Sequence, residues 1–246
     1  KGDSTRVGFR VAGMYKLNER HQFGLMYRGP IEHKYKGKVY LTDLNNSPVA
    51  SLGGVGYSDI FGSSFETDVV SKTTLPDSIV LGYSFKPNEK WTFNADLEWM
   101  NWSVVNEEEL AYPGLVEIQP PSPLAGMRGL VLNGGNPAPR DWLSVVSFAF
   151  GTEYAMSEKS RLRGGYYHHQ SPIPGSSWQA NLPDSDSHGV TLGFGYDFTK
   201  SFTLDLAWSG IYYMTRKIEN QQTDGDINGT YRQTCNLLYA TATYKF

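Results

Sequence analysis

The chain alternates apolar and polar side chains with a period of two over one segment after another. That limits it to strands with two unlike faces. After Ser201, residues Phe202, Leu204, Leu206, Trp208, Gly210, Tyr212 and Met214 fall on one face, and Thr203, Asp205, Ala207 and Ser209 on the other. Val190, Leu192, Phe194, Tyr196 and Phe198 alternate with Thr191, Gly193, Gly195 and Asp197. Trp91, Phe93, Ala95, Leu97 and Trp99 alternate with Thr92, Asn94, Asp96 and Glu98, and Val146, Phe148, Phe150, Thr152 and Tyr154 with Ser147, Ala149, Gly151 and Glu153. Near the start, Val7, Phe9, Val11, Gly13 and Tyr15 alternate with Gly8, Arg10, Ala12, Met14 and Lys16. A soluble β-sandwich has the same period, so alternation alone leaves both a sandwich and a barrel open.

The connections separate them. The pattern predicts about nine strands, over 4–17, 20–44, 65–87, 90–107, 140–155, 160–170, 187–199, 202–219 and 228–246. Tight turns fall at Asn18-Glu19-Arg20, Pro87-Asn88-Glu89, Ser157-Glu158-Lys159 and Thr199-Lys200-Ser201, and long connections at 45–64, 108–139, 171–186 and 220–227. Short and long alternate throughout, as they do when a membrane barrel has turns at its periplasmic end and loops at its outer end. Tyr15, Phe23, Phe85, Trp91, Tyr154, Phe198 and Phe202 lie beside the tight turns, while Trp99, Trp102, Tyr166 and Tyr212 lie toward the long loops. Two aromatic belts at two heights are expected of a membrane-spanning sheet.

Composition agrees. No run of roughly 20 apolar residues offers a spanning helix, yet aromatics make up 14% of the 246 residues. Lys+Arg 22 against Asp+Glu 25 leaves a net charge of -3, without the basic excess of a nucleic-acid binder. Cys235 has no partner for a disulfide and reads as a small strand residue. The chain opens at Lys1 without a secretory signal, and a barrel strand that descends to a tight turn would begin outside the cell. With an odd strand count besides, further strands are expected before Lys1.

At several points the residues resemble the FadL/TodX family of outer-membrane transporters. Leu75-Pro76-Asp77 leading to Gly82-Tyr83, the Asn88-Glu89-Lys90-Trp91 turn, and Trp99 with Trp102-Ser103 resemble that family's middle hairpin. Arg140-Asp141-Trp142 with Gly151-Thr152-Glu153-Tyr154 resembles the strand that follows. Ser171-Pro172-Ile173-Pro174 followed by Leu182-Pro183-Asp184-Ser185-Asp186 is the most distinctive stretch. Tyr244-Lys245-Phe246 resembles the terminal signal read by the barrel-assembly machinery. The resemblance implies an all-β, antiparallel, up-and-down transmembrane barrel of 14 strands in the bacterial outer membrane. Residues 1–246 would be the C-terminal part of that single domain, with the plug and early strands lying before Lys1. It also implies a monomer that takes up long-chain fatty acids or aromatic hydrocarbons, among outer-membrane lipid and lipopolysaccharide. A hydrophilic diffusion channel and a surface-binding barrel are the readings that compete with it.

Loop 45–64 carries Val49, Leu52, Val55, Tyr57, Ile60 and Phe61, with Phe65 just beyond, and loop 108–139 adds Leu115 and Ile118 among other apolar residues. Apolar loops are costly in water unless they pack or bind something. They are expected either to form two walls of a groove that captures hydrophobic substrate or to cap the barrel mouth by packing together. Charges expected on the lumen side are Arg6, Arg10, Arg28, Asp96, Glu98, Glu153, Arg161, Arg163, Asp197 and Asp205. An arginine there would either anchor a substrate carboxylate or pair with a neighbouring acid. His168 and His169 are adjacent in a strand and so point to opposite faces. Asp186-Ser187-His188 is contiguous and cannot assemble a triad. No catalytic residue, metal or cofactor is expected, and no nucleic-acid partner.

Overall fold

The computed structural model describes residues 2–42, 48–49, 55–56, 58, 65–112, 138–219 and 228–246. Its first strands are β1 (Gly2–Asp3), β2 (Arg10–Lys16), β3 (His21–Arg28), β4 (Ile31–Leu41), β5 (Pro48–Val49), β6 (Val55–Gly56), β7 (Phe65–Leu75), β8 (Ser78–Phe85) and β9 (Trp91–Met100). There follow β10 (Glu107–Ala111), β11 (Ala138–Pro139), β12 (Val145–Ala155), β13 (Ser160–His169), β14 (Ser187–Asp197), β15 (Phe202–Tyr213), β16 (Arg216–Ile218), β17 (Gly229–Tyr231) and β18 (Thr234–Tyr244). Single 3-10 turns occur at Trp102–Val104 and Gly175–Ser177.

Two compact units result. One comprises Lys1–Val7, Ile31–Leu75 and Val105–Pro139; the other comprises Gly8–Pro30, Pro76–Val104 and Arg140–Phe246. The first holds a five-stranded sheet in the order β1-β4-β7-β10-β11. Its central ladder pairs Ile31 with Leu75 through Leu41 with Phe65, and Lys38 donates to Glu66 across it. The second holds nine strands in the order β18-β15-β14-β13-β12-β9-β8-β3-β2, each antiparallel to its neighbours.

All nine predicted segments contain a strand of the second unit, and its four tight turns share one device. The first polar side chain of each turn accepts from the backbone N–H groups two and three residues on. Asn18 Oδ1 takes Arg20 at 2.9 Å and His21 at 3.0 Å, and Asn88 Oδ1 takes Lys90 at 2.9 Å and Trp91 at 3.1 Å. Ser157 Oγ takes Lys159 at 3.2 Å and Ser160 at 3.1 Å, while Thr199 Oγ1 takes Ser201 at 3.2 Å and Phe202 at 3.0 Å. Such short polar side chains close turns because they replace a backbone acceptor locally. Since the strands alternate in direction, all four turns lie at one end of the sheet.

The strands are shorter than the sequence predicts, for identifiable reasons. Residues 4–9 form no ladder. The segment 20–44 is cut into β3 and β4 at Gly29-Pro30, and 65–87 into β7 and β8 at Pro76-Asp77. The two breaks face each other, since Arg28 pairs with Ser78 and Ile31 with Leu75. A proline offers no ladder donor, so two opposed prolines end the pairing at one height. At the same height the Asn101 N–H donates to Asp77 O at 3.0 Å and its side-chain amide to Asp77 Oδ1 at 2.9 Å, ending β9. Glu107-Glu108-Glu109 begins β10, with Glu109 paired to Lys72 of β7.

Register sorts the nine-stranded sheet into two faces. A row on one face runs Leu206, Phe194, Leu162, Tyr154 and Trp91; a neighbouring row on the other runs Ala207, Gly193, Arg163, Glu153 and Thr92. The apolar face is open: Leu192 is 57%, Leu206 48% and Leu238 84% exposed. Only Val145, Ile173, Trp178 and Ile218 are buried hydrophobic residues among those described. A sandwich buries its apolar face against a second sheet; this sheet does not, so its apolar face needs a hydrocarbon solvent.

Candidate functional site

The polar face carries the charges. Register places Arg10, Arg28, Asp96, Glu98, Glu153, Arg161, Arg163, Asp197 and Asp205 together on it, as alternation predicts. Arg6 falls outside the nine-stranded sheet, in the other unit, where its Nε donates to Glu32 O at 3.0 Å.

On β12 to β15 each arginine is paired with acids. Arg163 donates from Nε to Glu153 Oε2 at 2.7 Å and from Nη1 to Asp205 Oδ1 at 2.5 Å. Arg161 donates to Asp197 Oδ1 at 2.7 Å, and Thr203 Oγ1 donates to the same oxygen at 2.6 Å. These are charge-assisted bonds of good length, and they tie four consecutive strands together through their side chains. Gly195 of β14 lies beneath the Arg163–Asp205 bond; a Cβ there would collide with Asp205 Oδ1 and come within 3.2 Å of Arg163 Nη1. The sheet gives up a side chain there so that two charges can meet across an intervening strand.

At the sheet end opposite the tight turns, a cluster of loops packs around Trp178, Ile173 and Ile218, with Trp142 and Tyr231 against it. The Trp178 and Tyr231 rings lie 4.2 Å apart, and Trp178 Nε1 donates to Asp184 O at 3.1 Å. Arg216 is the cluster's polar centre. It donates to Asp184 O at 2.8 Å, to Ser171 Oγ at 3.2 Å and to Ile173 O. Ser171 in turn donates from its N–H to Asp186 Oδ1 and from Oγ to Asp184 Oδ2, both at 2.8 Å. Burial pulls the Arg216 guanidinium below its ordinary pKa, and Asp184 and Asp186 partly offset this. The distinctive Ser-Pro-Ile-Pro and Leu-Pro-Asp-Ser-Asp stretches are thus the two strips of backbone that one arginine fastens together. Asp141, at φ 48°, takes the left-handed backbone that Asp tolerates better than most residues, and so turns the chain beside this cluster. Trp102, just past the end of β9, packs edge-on against Trp142 at 5.2 Å.

The proposed capture residues are not gathered in the described part of the chain. Leu52, Tyr57, Ile60, Phe61, Leu115 and Ile118 lie outside the described residues, and Val49, Val55 and Phe65 are described only as backbone in β5, β6 and β7. A groove of about 980 Å³ on the apolar face is lined by Val11, Tyr15, Leu25, Leu81, Leu97 and Phe150 among others. It belongs to the surface that needs hydrocarbon. On that face His168 lies opposite His188 with rings 4.8 Å apart, whereas His169 turns to the polar face and meets Ser147 Oγ at 3.0 Å. Among the described residues no group of three or more metal-binding side chains converges.

A family model described as outer membrane protein transport protein (OMPP1/FadL/TodX) matches residues 1–246. Over its whole length the chain is 22% identical to an outer membrane protein of Neisseria meningitidis serogroup B, of which it covers 52%. Over 92% of its length it is 23% identical to the long-chain fatty acid transport protein of Escherichia coli O6:H1, covering 46% of that protein. The crystal structure of a Pseudomonas aeruginosa FadL homologue superimposes with a TM-score of 0.71 at 18% identity, over 96% of this chain and 52% of that one. At that identity the likeness shows the fold. The chain spans about half the length of the relatives it matches. A family match over every residue of a sheet with one hydrocarbon face and one charged face settles the assignment: the chain belongs to the OMPP1/FadL/TodX family of outer-membrane transport proteins.

Proposed function

We propose that the protein containing this chain takes up hydrophobic small molecules through the outer membrane, with long-chain fatty acids as the substrate class. Residues 1–246 then form part of one monomeric barrel domain, set in outer-membrane lipid and lipopolysaccharide and delivered by the barrel-assembly machinery acting on Phe246. The observation that carries this is the two-faced sheet: it exposes apolar side chains such as Leu192 and Leu206 on one side and keeps its charges on the other. Such a wall serves a protein with lipid outside and a polar passage inside. The long-chain fatty acid transport protein among its relatives supports the substrate class.

In this reading, loops 45–64 and 108–139 capture substrate before it enters the barrel, through Val49, Leu52, Val55, Tyr57, Ile60, Phe61, Phe65, Leu115 and Ile118. Replacing Ile60 and Phe61 by Ser in the full-length protein tests it. Each apolar side chain of this size contributes about 1.5–3 kcal/mol when fully removed from water, so uptake of a fatty acid at low concentration should fall severalfold. The loss should fade as the concentration rises, and uptake of small hydrophilic solutes should not change. Normal fatty acid uptake by a correctly inserted double variant removes loop 45–64 from the capture site. Preferred uptake of a monoaromatic hydrocarbon over a fatty acid would move the substrate class to aromatic compounds.

A further inference from the structure

The arginines of the polar face are of two kinds, and the difference points to a binding site. Arg161 and Arg163 are bonded to carboxylates. Arg10 and Arg28 are directly opposite each other on β2 and β3, and among the described residues neither meets a carboxylate. Like charges placed opposite in a ladder destabilise it. The one polar contact of Arg28 is a 3.9 Å approach of Nη2 to the Met100 sulfur, a weak acceptor. Asp96 and Glu98 share the face, but Glu98 stands one row away and across β8, in register with Val80 and Met26.

The same transverse row holds a second unmet group. It runs Arg10, Arg28, Ser78, Met100 and Val145 across five strands. Ser78 is 1% exposed, and its hydroxyl has no hydrogen-bond partner. Buried hydroxyls are normally satisfied, so an orphan beside two unneutralised guanidinium groups marks a place for an acceptor that those groups share. The row lies at the sheet end away from the tight turns, where the opposed prolines interrupt the strands. In the next row toward the turns come Ala12, Met26 and Val80, and beyond them Met14, Gly24 and Gly82. On β2 and β3 these positions are apolar or glycine, while Glu98 and Asp96 end the two rows on β9; methionine adapts to irregular hydrocarbon shapes.

We infer that Arg10 and Arg28, with the Ser78 hydroxyl, bind the carboxylate of a long-chain fatty acid whose alkyl chain lies along Ala12, Met14, Met26 and Val80. The inference rests on the uptake reading and narrows it to anionic amphiphiles over neutral hydrocarbons. Two guanidinium groups pair with both oxygens of one carboxylate, remove the repulsion between themselves and release Arg28 from the sulfur. Arg163 cannot serve, because its charge is already met by two carboxylates, Glu153 and Asp205.

The test compares oleate with methyl oleate, which has the same chain and no charge, by equilibrium binding to the full-length protein in detergent. In the Arg10→Gln/Arg28→Gln variant, oleate affinity should fall about tenfold to a hundredfold, the range expected for losing charge-assisted bonds in a partly dry site. Methyl oleate affinity should change less than about twofold on the same grounds. Arg10→Lys/Arg28→Lys should retain part of the oleate preference, and Arg161→Gln should leave it untouched. Oleate binding that is unchanged in a folded Gln variant overturns the site while leaving uptake of hydrophobic compounds intact. Failure of the unaltered protein to bind either lipid overturns the uptake reading itself, and the site with it.

Discussion

Leu206→Arg tests which face of the sheet meets the bilayer. Leu206 is the fifth residue of β15, on the row with Phe194 of β14 and Ala240 of β18. A strand rising about 3.3 Å per residue and tilted about 40° carries Leu206 roughly 10 Å above the aromatic belt at Phe202. The apolar band of such barrels is about 25 Å tall, so the side chain lies within about 3 Å of the midplane. An arginine there should cost about 2–4 kcal/mol. Ala207→Arg places the same charge one residue on, beside Arg163 and its two carboxylates, where a cavity of about 210 Å³ adjoins it. That triad has an excess negative charge to meet the newcomer, so the cost should stay below about 1 kcal/mol. Both variants of the full-length protein can be refolded into lipid vesicles and titrated with guanidinium. Equal destabilisation, or a larger one for Ala207→Arg, would refute the face assignment.

Two further predictions concern the polar face and the loop cluster. Arg163→Gln should destabilise the refolded protein by about 1–2 kcal/mol, a discounted value for a half-exposed triad, and Asp205→Asn in that background should recover part of it; strict additivity in the double-mutant cycle would deny the coupling. Trp178→Ala empties the largest buried site of the cluster, 1% exposed, and should cost about 3–5 kcal/mol locally, seen as protease cleavage within 171–186 while the strands keep their circular dichroism; resistance equal to that of the unaltered protein would mean that the cluster is held by other contacts.

The nine strands and four tight turns were legible because each is decided by neighbours in sequence: a period of two and a short polar side chain at the start of each turn. The interruptions at Pro30 and Pro76 were visible as residues but not as events. Alternation resumes on both sides of each, and only the pairing of Arg28 with Ser78 shows that the two breaks coincide. Residues 4–9 and 140–144 carry a strand-like pattern yet form no strand, because pattern reports which side chains can share a face and not which backbone finds a partner. Trp178, Ile218 and Arg216 escaped notice for a related reason. They lie on separate connections, and neither periodicity nor spacing brings them together. The signal was the Ser171-to-Pro174 and Leu182-to-Asp186 strips, recognisable as distinctive but silent about the arginine they bind. The capture residues remain a proposal from composition alone.

Parity assigned every lumen arginine to one face, but it could not say which were already spent. That depends on what stands between an arginine and an acid. Side chains on strands two apart are separated by roughly 10 Å, about two strand spacings. Arg163 of β13 closes the gap to Asp205 of β15 because β14 presents Gly195 beneath the bond. Arg28 of β3 spans the same interval over Ser78 of β8, but finds Met100 of β9 where an acid would complete the pair. The two arginines make the same crossing, and the residue at the far end decides the outcome. On β12 to β15 the wall is closed by its own charges, and a passing anion meets arginines already paired with acids. On β2 and β3 the positive charge is left for a ligand, and the methionines below it leave room for a chain. A wall divided in this way holds an amphiphile along one side, head toward the loops and tail toward the turns, while the other side keeps its strands together.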